Sequence, residues 1–346
     1  MEHSKPHPDS QSQIPVNPAM TLALAQASVA AYADFENKPV VPPPGYQTLE
    51  RWTGWASSPF GGSEERFGVL FRSIASPATY IFAFRGTDSD LDVWNDLFAE
   101  TTTFVPIAGN TPQPPAYVAA GFWGIYTGIG GSMRQSMQQQ VFALIQKYQI
   151  GFCYITGHSL GAALSSLFTL DVALSRPALR AISMNFASPM VGTERWAQLY
   201  AQLAAPTTRV LNYYDYVPDL PPLPYYTHVG TPFQTAFYQY NEWYPHLLAR
   251  HALLNLQTVL SNAVWLNPQI WTGYFTNSVD PTSLMISVTP PSATERPALV
   301  HALRELKQRE LASHASPDVH AAHAGPSAHA SPAGSAAPTA QAAPAK

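Results

Sequence analysis

Cysteine occurs once in this chain of 346 residues, at Cys153 inside an apolar run. A single thiol cannot form an internal disulfide, so the residue reads as a buried core thiol and gives no redox compartment. Charge is also scarce: Asp, Glu, Lys and Arg make up 12% of the chain, about half the usual share. Its balance is mildly acidic, a formal net charge of -4, which argues against nucleic acid as a partner because that needs basic patches. Long apolar runs are missing as well, and none approaches the roughly 20 residues of a bilayer-spanning helix. The opening MEHSKPHPDSQSQIPVNPAM lacks the basic and then apolar order of a secretory signal. The expectation is therefore cytoplasmic, with leaderless secretion as the other route. What the chain does have is apolar bulk, 46% hydrophobic residues, enough for a large core. Low charge with high apolar content fits a protein that works near apolar material.

The chain divides into zones by composition. Residues 1–18 form a polar lead-in, and residues 19–290 alternate apolar β-rich runs with helical patterns. Residues 291–312 read as a C-terminal helix with a Pro-rich approach, and 313–346 as a disordered tail of Ala, His, Pro and Ser. The four tail histidines have no partners of fixed geometry, so a flexible tail is preferred to a metal site. Within the middle zone TLALAQASVAAYA reads as a helix. RFGVLFRSI and ATYIFAFRG read as paired strands. MRQSMQQQVFALIQKYQ reads as a helix with Met133, Met137, Val141, Leu144 and Ile145 on one stripe. Strands follow at FCYIT, RAISMNFAS and TRVLNYY, with the helix GAALSSLFTLDVAL after the first of them. Strands alternating with helices imply an α/β fold, a mostly parallel central sheet with helices on both faces. In such sheets the chemistry gathers at the carboxyl ends of the strands.

YITGHSLGAAL, residues 154–164, sits where FCYIT hands over to that helix. A G-x-S-x-G string alone arises by chance in about one chain in ten of this length, but a strand before it and a helix after it are what a nucleophile elbow requires. The turn demands residues of glycine size, here Gly157 and Gly161, and lifts Ser159 above the sheet. A serine hydroxyl needs a base and an orienting carboxylate, which in this topology follow in the order Ser, Asp, His. Asp215, directly after TRVLNYY, is favoured over Asp219 in the Pro-rich loop beyond it. Among the histidines, His246 leads because it stands at a loop-to-helix junction. His251 is the runner-up, since it reads as lying five residues inside the helix and facing elsewhere. His228, only thirteen residues after Asp215, reads as structural. The backbone N–H of Leu160 is one expected oxyanion donor, and Thr87, after the strand FAFRG, supplies the second.

These pieces resemble the class 3 lipases, the fungal-type family of α/β-hydrolases. FAFRGTDSDLDVWNDL looks like the family's FRGT segment, AAGFWGIY its helix start, TGHSLGAALSSL its elbow, NFASPMVG its strand end, and YYDYVPDLPP its acid loop. The five motifs run in family order over about residues 80–225, and the likeness extends to roughly 30–260. The resemblance implies an α/β-hydrolase fold with a short helical lid, Ser159 as nucleophile, Asp215 as acid, and Thr87 with Leu160 as oxyanion hole. It further implies that Asp96 holds the Thr87 side chain and that THVG, which contains His228, is structural. The family's usual Tyr shortly after the base is missing from PHLLARHALL, which leaves His246 and His251 both open.

The implied lid is DSDLDVWNDLFAE, with Leu91, Trp94, Leu97 and Phe98 on one helical stripe. Those residues suit an apolar underside, and equally a core contact. The D-x-D-x-D run Asp88, Asp90, Asp92 is not a calcium loop, because Val93 and Ala99 stand where Gly and Glu are required. The expected activity is hydrolysis of carboxylic esters, acylglycerols foremost, at a lipid–water interface and with no metal or other cofactor. The alternatives on the same scaffold are a soluble-ester esterase, a phospholipase A1 or a feruloyl-type esterase. A catalytically silent binding module is the alternative from another class.

Overall fold

Asn17 opens the first helix, α1 (Pro18–Phe35), by accepting a hydrogen bond from the Met20 N–H at 3.1 Å. Pro18 then occupies the first turn, where its lack of an N–H costs no helical bond. The structure, a computed structural model, describes residues 17–58, 61–87, 100–213, 215–221, 225–235, 237–239, 250–262 and 284–286. The expected lid residues, the helix at 291–312 and the tail at 313–346 lie outside them, as do all but the last two residues of the lead-in. Leu24, Ala25, Ala27, Ala30 and Ala31 of α1 are buried. Four of these five are alanine, so the helix backbone can approach the sheet closely.

Seven strands form the central sheet. β1 (Tyr46–Ser58) and β2 (Gly61–Ser73) are a long antiparallel pair, and β2 pairs antiparallel with β3 (Tyr80–Phe84). From β3 onward the sheet is parallel, through β6 (Phe152–His158), β7 (Arg180–Phe186), β8 (Thr207–Asn212) and β9 (Thr231–Thr235). Chain between β3 and β6 supplies the small pair β4 (Thr101–Thr103) and β5 (Tyr117–Ala119), then α2 (Ala120–Thr127) and α3 (Met137–Lys147). Helices α4 (Leu160–Ser175) and α5 (Glu194–Leu203) follow β6 and β7, and α6 (Leu253–Asn262) packs beside α1. A further short pair, β10 (Phe237–Gln239) and β11 (Leu284–Ile286), stands apart from the main sheet.

The period-2 alternation of a strand buried on both faces divides the interior in two. On β3, Tyr80, Phe82 and Phe84 enter one core with α2, α3, α4 and α5. Ile81 and Ala83 enter the other, with α1 and α6. Phe82 and Phe84 both pack on Phe168 of α4, at ring-centroid distances of 5.0 and 5.6 Å. The sheet is thus mostly parallel with helices on both faces, as expected, and its antiparallel edge is longer than the sequence reading, which did not foresee β1.

One helix starts later than expected. α3 begins at Met137, because Ser136 accepts from the Gln139 N–H while the Gln139 side chain accepts from the Ser136 N–H, a reciprocal cap that stops the helix from extending back to Met133. Its buried face is Met137, Val141, Phe142 and Ile145, so Met133 lies outside the helix and Phe142 joins the buried face. Among the described residues no helix is long and apolar enough to cross a membrane.

Candidate active site

β6 ends at His158 and α4 starts at Leu160, which leaves Ser159 alone in the turn with φ 59° and ψ -126°. Such a conformation costs a residue with a side chain about 1–3 kcal/mol, so the surroundings must hold it. The Ser159 N–H donates to Phe186 O at 3.0 Å at the end of β7, and its carbonyl accepts from Ala162 N at 2.9 Å. The flanking glycines leave no alternative. A Cβ on Gly157 would lie 2.2 Å from Gly161 O, and one on Gly161 would lie 2.4 Å from Phe84 O. The tight turn inferred from sequence is therefore present, and Leu160 begins α4 directly behind the serine with its first, unpaired helical N–H groups.

Asp215 lies just beyond the carboxyl end of β8, 1% exposed. One of its oxygens, Oδ1, accepts from the Val217 N–H at 3.0 Å, and Oδ2 is 2.7 Å from His251 Nδ1. His251 Nε2 is in turn 2.7 Å from Ser159 Oγ. A carboxylate oxygen can only accept, so Nδ1 carries the proton, and Nε2 of the neutral ring accepts from the Ser159 hydroxyl. Asp219 lies in the single 3₁₀ turn Val217–Asp219 that follows. His228 stands beside Thr227, which bridges to Gly192.

The expected base was His246, which lies outside the described residues. The structure places His251 against both Ser159 and Asp215, the position that reading gave to His246. The reason is local. The pattern LLARHALLNLQTVL reads as one continuous helix, but the chain leaves helical geometry at Ala252 and α6 starts only at Leu253. His251 therefore stands at a break, free to point across the carboxyl ends of the strands. Its main chain is held from below: Asn212 Nδ2 donates to Arg250 O at 3.0 Å, and His158 Nε2 lies 2.8 Å from His251 O.

Thr87 follows β3 at the same end of the sheet and is half-buried. Gly86 before it touches the elbow directly: a Cβ there would lie 2.7 Å from His158 O and 3.0 Å from Ser159 Cβ. The Gly86 carbonyl accepts from Arg85 Nη1 at 2.7 Å. In a planar trans peptide the C=O and the next N–H point in opposite directions, so fixing the Gly86 carbonyl fixes the Thr87 N–H. Arg85 is itself immobilised. Its guanidinium lies over the rings of Phe35 and Phe67, at 3.7 and 4.2 Å from their centroids. It also donates to Arg66 O at 2.8 Å and is paired with Glu65. Sequence reasoning named Thr87 and passed over Arg85, although it is the R of the FRGT string. Asp96 and the stripe Leu91, Trp94, Leu97 and Phe98 lie outside the described residues.

Residues 81–225 match the family model for lipase (class 3). Over those residues the chain is similar to the class 3 lipases. The family shares the α/β-hydrolase fold, and the sheet order and elbow described above are those of that fold. Relatives include phospholipase A1-II 7 of Oryza sativa subsp. indica, 28% identical over 213 residues, which are 54% of this chain and 50% of that protein. A lipase of Rhizopus niveus is 28% identical over 158 residues, 45% of this chain and 38% of that protein. Among solved structures, lipase II from Rhizopus niveus covers 63% of this chain and 80% of its own, at 22% identity and a TM-score of 0.49. The chain spans half or less of the length of the curated relatives named here.

Proposed function

We propose that the protein is a serine hydrolase of carboxylic esters, acting foremost on acylglycerols through an acyl-enzyme intermediate. The observation that carries the reading is the position of His251, 2.7 Å from Ser159 Oγ on one side and 2.7 Å from Asp215 Oδ2 on the other. In this mechanism Ser159 Oγ attacks the ester carbonyl while His251 Nε2 takes its proton. Asp215 keeps Nδ1 protonated and stabilises the imidazolium that forms. The backbone N–H groups of Leu160 and Thr87 receive the developing oxyanion, each worth about 3–4 kcal/mol of transition-state stabilisation. The imidazolium then protonates the leaving alcohol, and water, deprotonated by His251, releases the acid and restores the serine.

A phospholipase A1 is the second reading, favoured by the similarity to phospholipase A1-II 7 of Oryza sativa subsp. indica. Two substrates separate the readings. Tributyrin is raised through its solubility limit, and phosphatidylcholine vesicles are assayed for loss of the acyl chain at the first glycerol carbon, each with Ser159→Ala as control. The lipase reading expects a rise in rate as tributyrin droplets form and slow attack on the vesicles. Faster release from the vesicles gives the phospholipase reading. Equal hydrolysis by wild type and Ser159→Ala ends both.

A further inference from the structure

His158, the residue between Gly157 and the serine, is 4% exposed and has no place in the proton transfers above. Each of its ring nitrogens nonetheless has a partner far away in sequence. Nε2 lies 2.8 Å from the carbonyl oxygen of His251, 93 positions on, and Nδ1 lies 2.9 Å from the Tyr32 hydroxyl, 126 positions back. A backbone carbonyl can only accept, so Nε2 carries the proton. In the neutral ring Nδ1 is then the acceptor, and the Tyr32 hydroxyl donates to it. The order of donation is fixed from α1 through the elbow to the segment that bears His251.

We propose that His158, oriented by Tyr32, is a positioning residue that holds the main chain of His251 so that its imidazole stays in line between Ser159 and Asp215. The inference rests on the hydrolase reading of that site.

Three further observations support it. The His251 segment comes at a break in helical structure, where its carbonyls need partners from outside. Two successive ones, Arg250 O and His251 O, are taken by side chains at the carboxyl ends of β8 and β6. The rings of His158 and His251 lie 4.6 Å apart at an interplanar angle of 37°, so the inner ring also limits the tilt of the outer one. The Tyr32 hydroxyl lies against the start of the Thr87 turn as well, 2.1 Å from where a Cβ on Gly86 would stand. One hydroxyl on α1 thereby touches both the nucleophile strand's last residue and the turn that leads to the second oxyanion donor. Burial first, and the neighbouring His251 second, hold the His158 imidazole well below its ordinary pKa, against the opposing pull of its bond to the His251 carbonyl. A neutral inner ring does not repel the imidazolium that His251 becomes during turnover.

Two substitutions divide the role. His158→Phe keeps a ring of similar shape and loses the donor, while His158→Gln keeps an N–H that can reach the His251 carbonyl. The rate of phosphonylation of Ser159 by a fluorophosphonate probe is followed by mass spectrometry, with kcat and KM measured on a soluble butyrate ester and folding checked by thermal melting. The expected result for His158→Phe is a fall of about 10²-fold in labelling rate and in kcat, the size of loss that small misplacements of reacting groups bring, with KM within twofold of wild type. His158→Gln recovers most of that loss. Labelling of His158→Phe at the wild-type rate would overturn the proposal, and so would a folded His158→Gln as slow as His158→Phe. Should His158→Phe not fold, Tyr32→Phe removes one oxygen at the far end of the chain of bonds. A several-fold fall in kcat at constant KM is expected there, and an unchanged kcat overturns the proposal. Wild-type protein that leaves Ser159 unlabelled brings down the hydrolase reading itself, a result distinct from labelling insensitive to position 158.

Discussion

Among the described residues Asp34, Asp171 and Asp215 are buried, and the last two are held in opposite ways. Asp215, at the carboxyl end of β8, receives one backbone N–H and one imidazole N–H that leads on to a serine. Asp171, in the middle of α4, receives the Tyr126 hydroxyl at 3.0 Å, the Gln138 amide at 2.7 Å, the Ser175 hydroxyl at 2.8 Å and the Ile107 N–H at 2.9 Å. Its four donors are all neutral. Burial pushes the Asp171 carboxyl above the usual carboxylate range, and the four hydrogen bonds offset only part of that. The same residue type in the same degree of burial thus ends a Ser-His-Asp chain of hydrogen bonds in one place and staples α2, α3, α4 and the 104–108 loop together in the other. What separates the two is the partner. A titratable ring at a strand end links the carboxylate to a serine hydroxyl, and neutral donors in the interior of a helix layer link it to packing alone.

Substitutions that keep shape and remove charge break this comparison most cleanly. Asp215→Asn is expected to lower kcat by about 10⁴-fold while leaving the melting temperature close to wild type, because the amide keeps an acceptor for Val217 and loses control of the His251 tautomer. Steady-state kinetics beside a thermal melt reads both effects. Asp171→Ala is expected to do the reverse. It strands the Tyr126, Gln138 and Ile107 donors, and a buried unsatisfied donor costs about 1–3 kcal/mol. A urea titration should show a loss of about 3 kcal/mol or more, with kcat of the remaining folded protein within a few-fold of wild type.

The smallest effect concerns pH. A carboxyl whose folded-state pKa is raised binds its proton more tightly when folded. Its contribution to stability is therefore present below the unfolded value near 4 and is lost as pH rises through the raised folded value. Asp171→Asn removes this titration and keeps one acceptor oxygen for the donors on one side of the group. Relative to wild type, the Asn variant should gain stability as the pH is raised from about 4 toward neutrality. A flat difference would mean that folding leaves the Asp171 carboxyl unshifted, and one that runs the other way that it is stabilised as a charged group.

Legibility in the sequence followed the range of the determining contacts. Ser159 was readable because the constraint is local: glycines two residues either side, a strand before, a helix after. Asp215 was readable from its place at a strand end. The choice between His246 and His251 was not, because the continuous apolar spacing of LLARHALLNLQTVL carries no Gly or Pro at Ala252 to mark the break that turns His251 toward the serine. Tyr32 and His158 were invisible as a pair, since their contact spans 126 positions and nothing in either local string announces it. The start of α3 was within reach of sequence reasoning, because Ser136 and Gln139 have capping-box spacing, and the longer apolar stripe obscured it. Strand β1 is crossed by Gly54, whose place is set by tertiary contact: a Cβ there would meet Met137 Cε at 2.6 Å and the Phe67 ring at 2.9 Å.

In the proposed mechanism His251 is the base, and the test is turnover of a soluble butyrate ester by His251→Ala and His246→Ala at matched folded concentration. Loss of a triad base costs on the order of 10⁴- to 10⁶-fold in kcat. That loss is expected for His251→Ala, with turnover within a few-fold of wild type for His246→Ala. Full activity in His251→Ala, with the loss falling on His246→Ala, would contradict it.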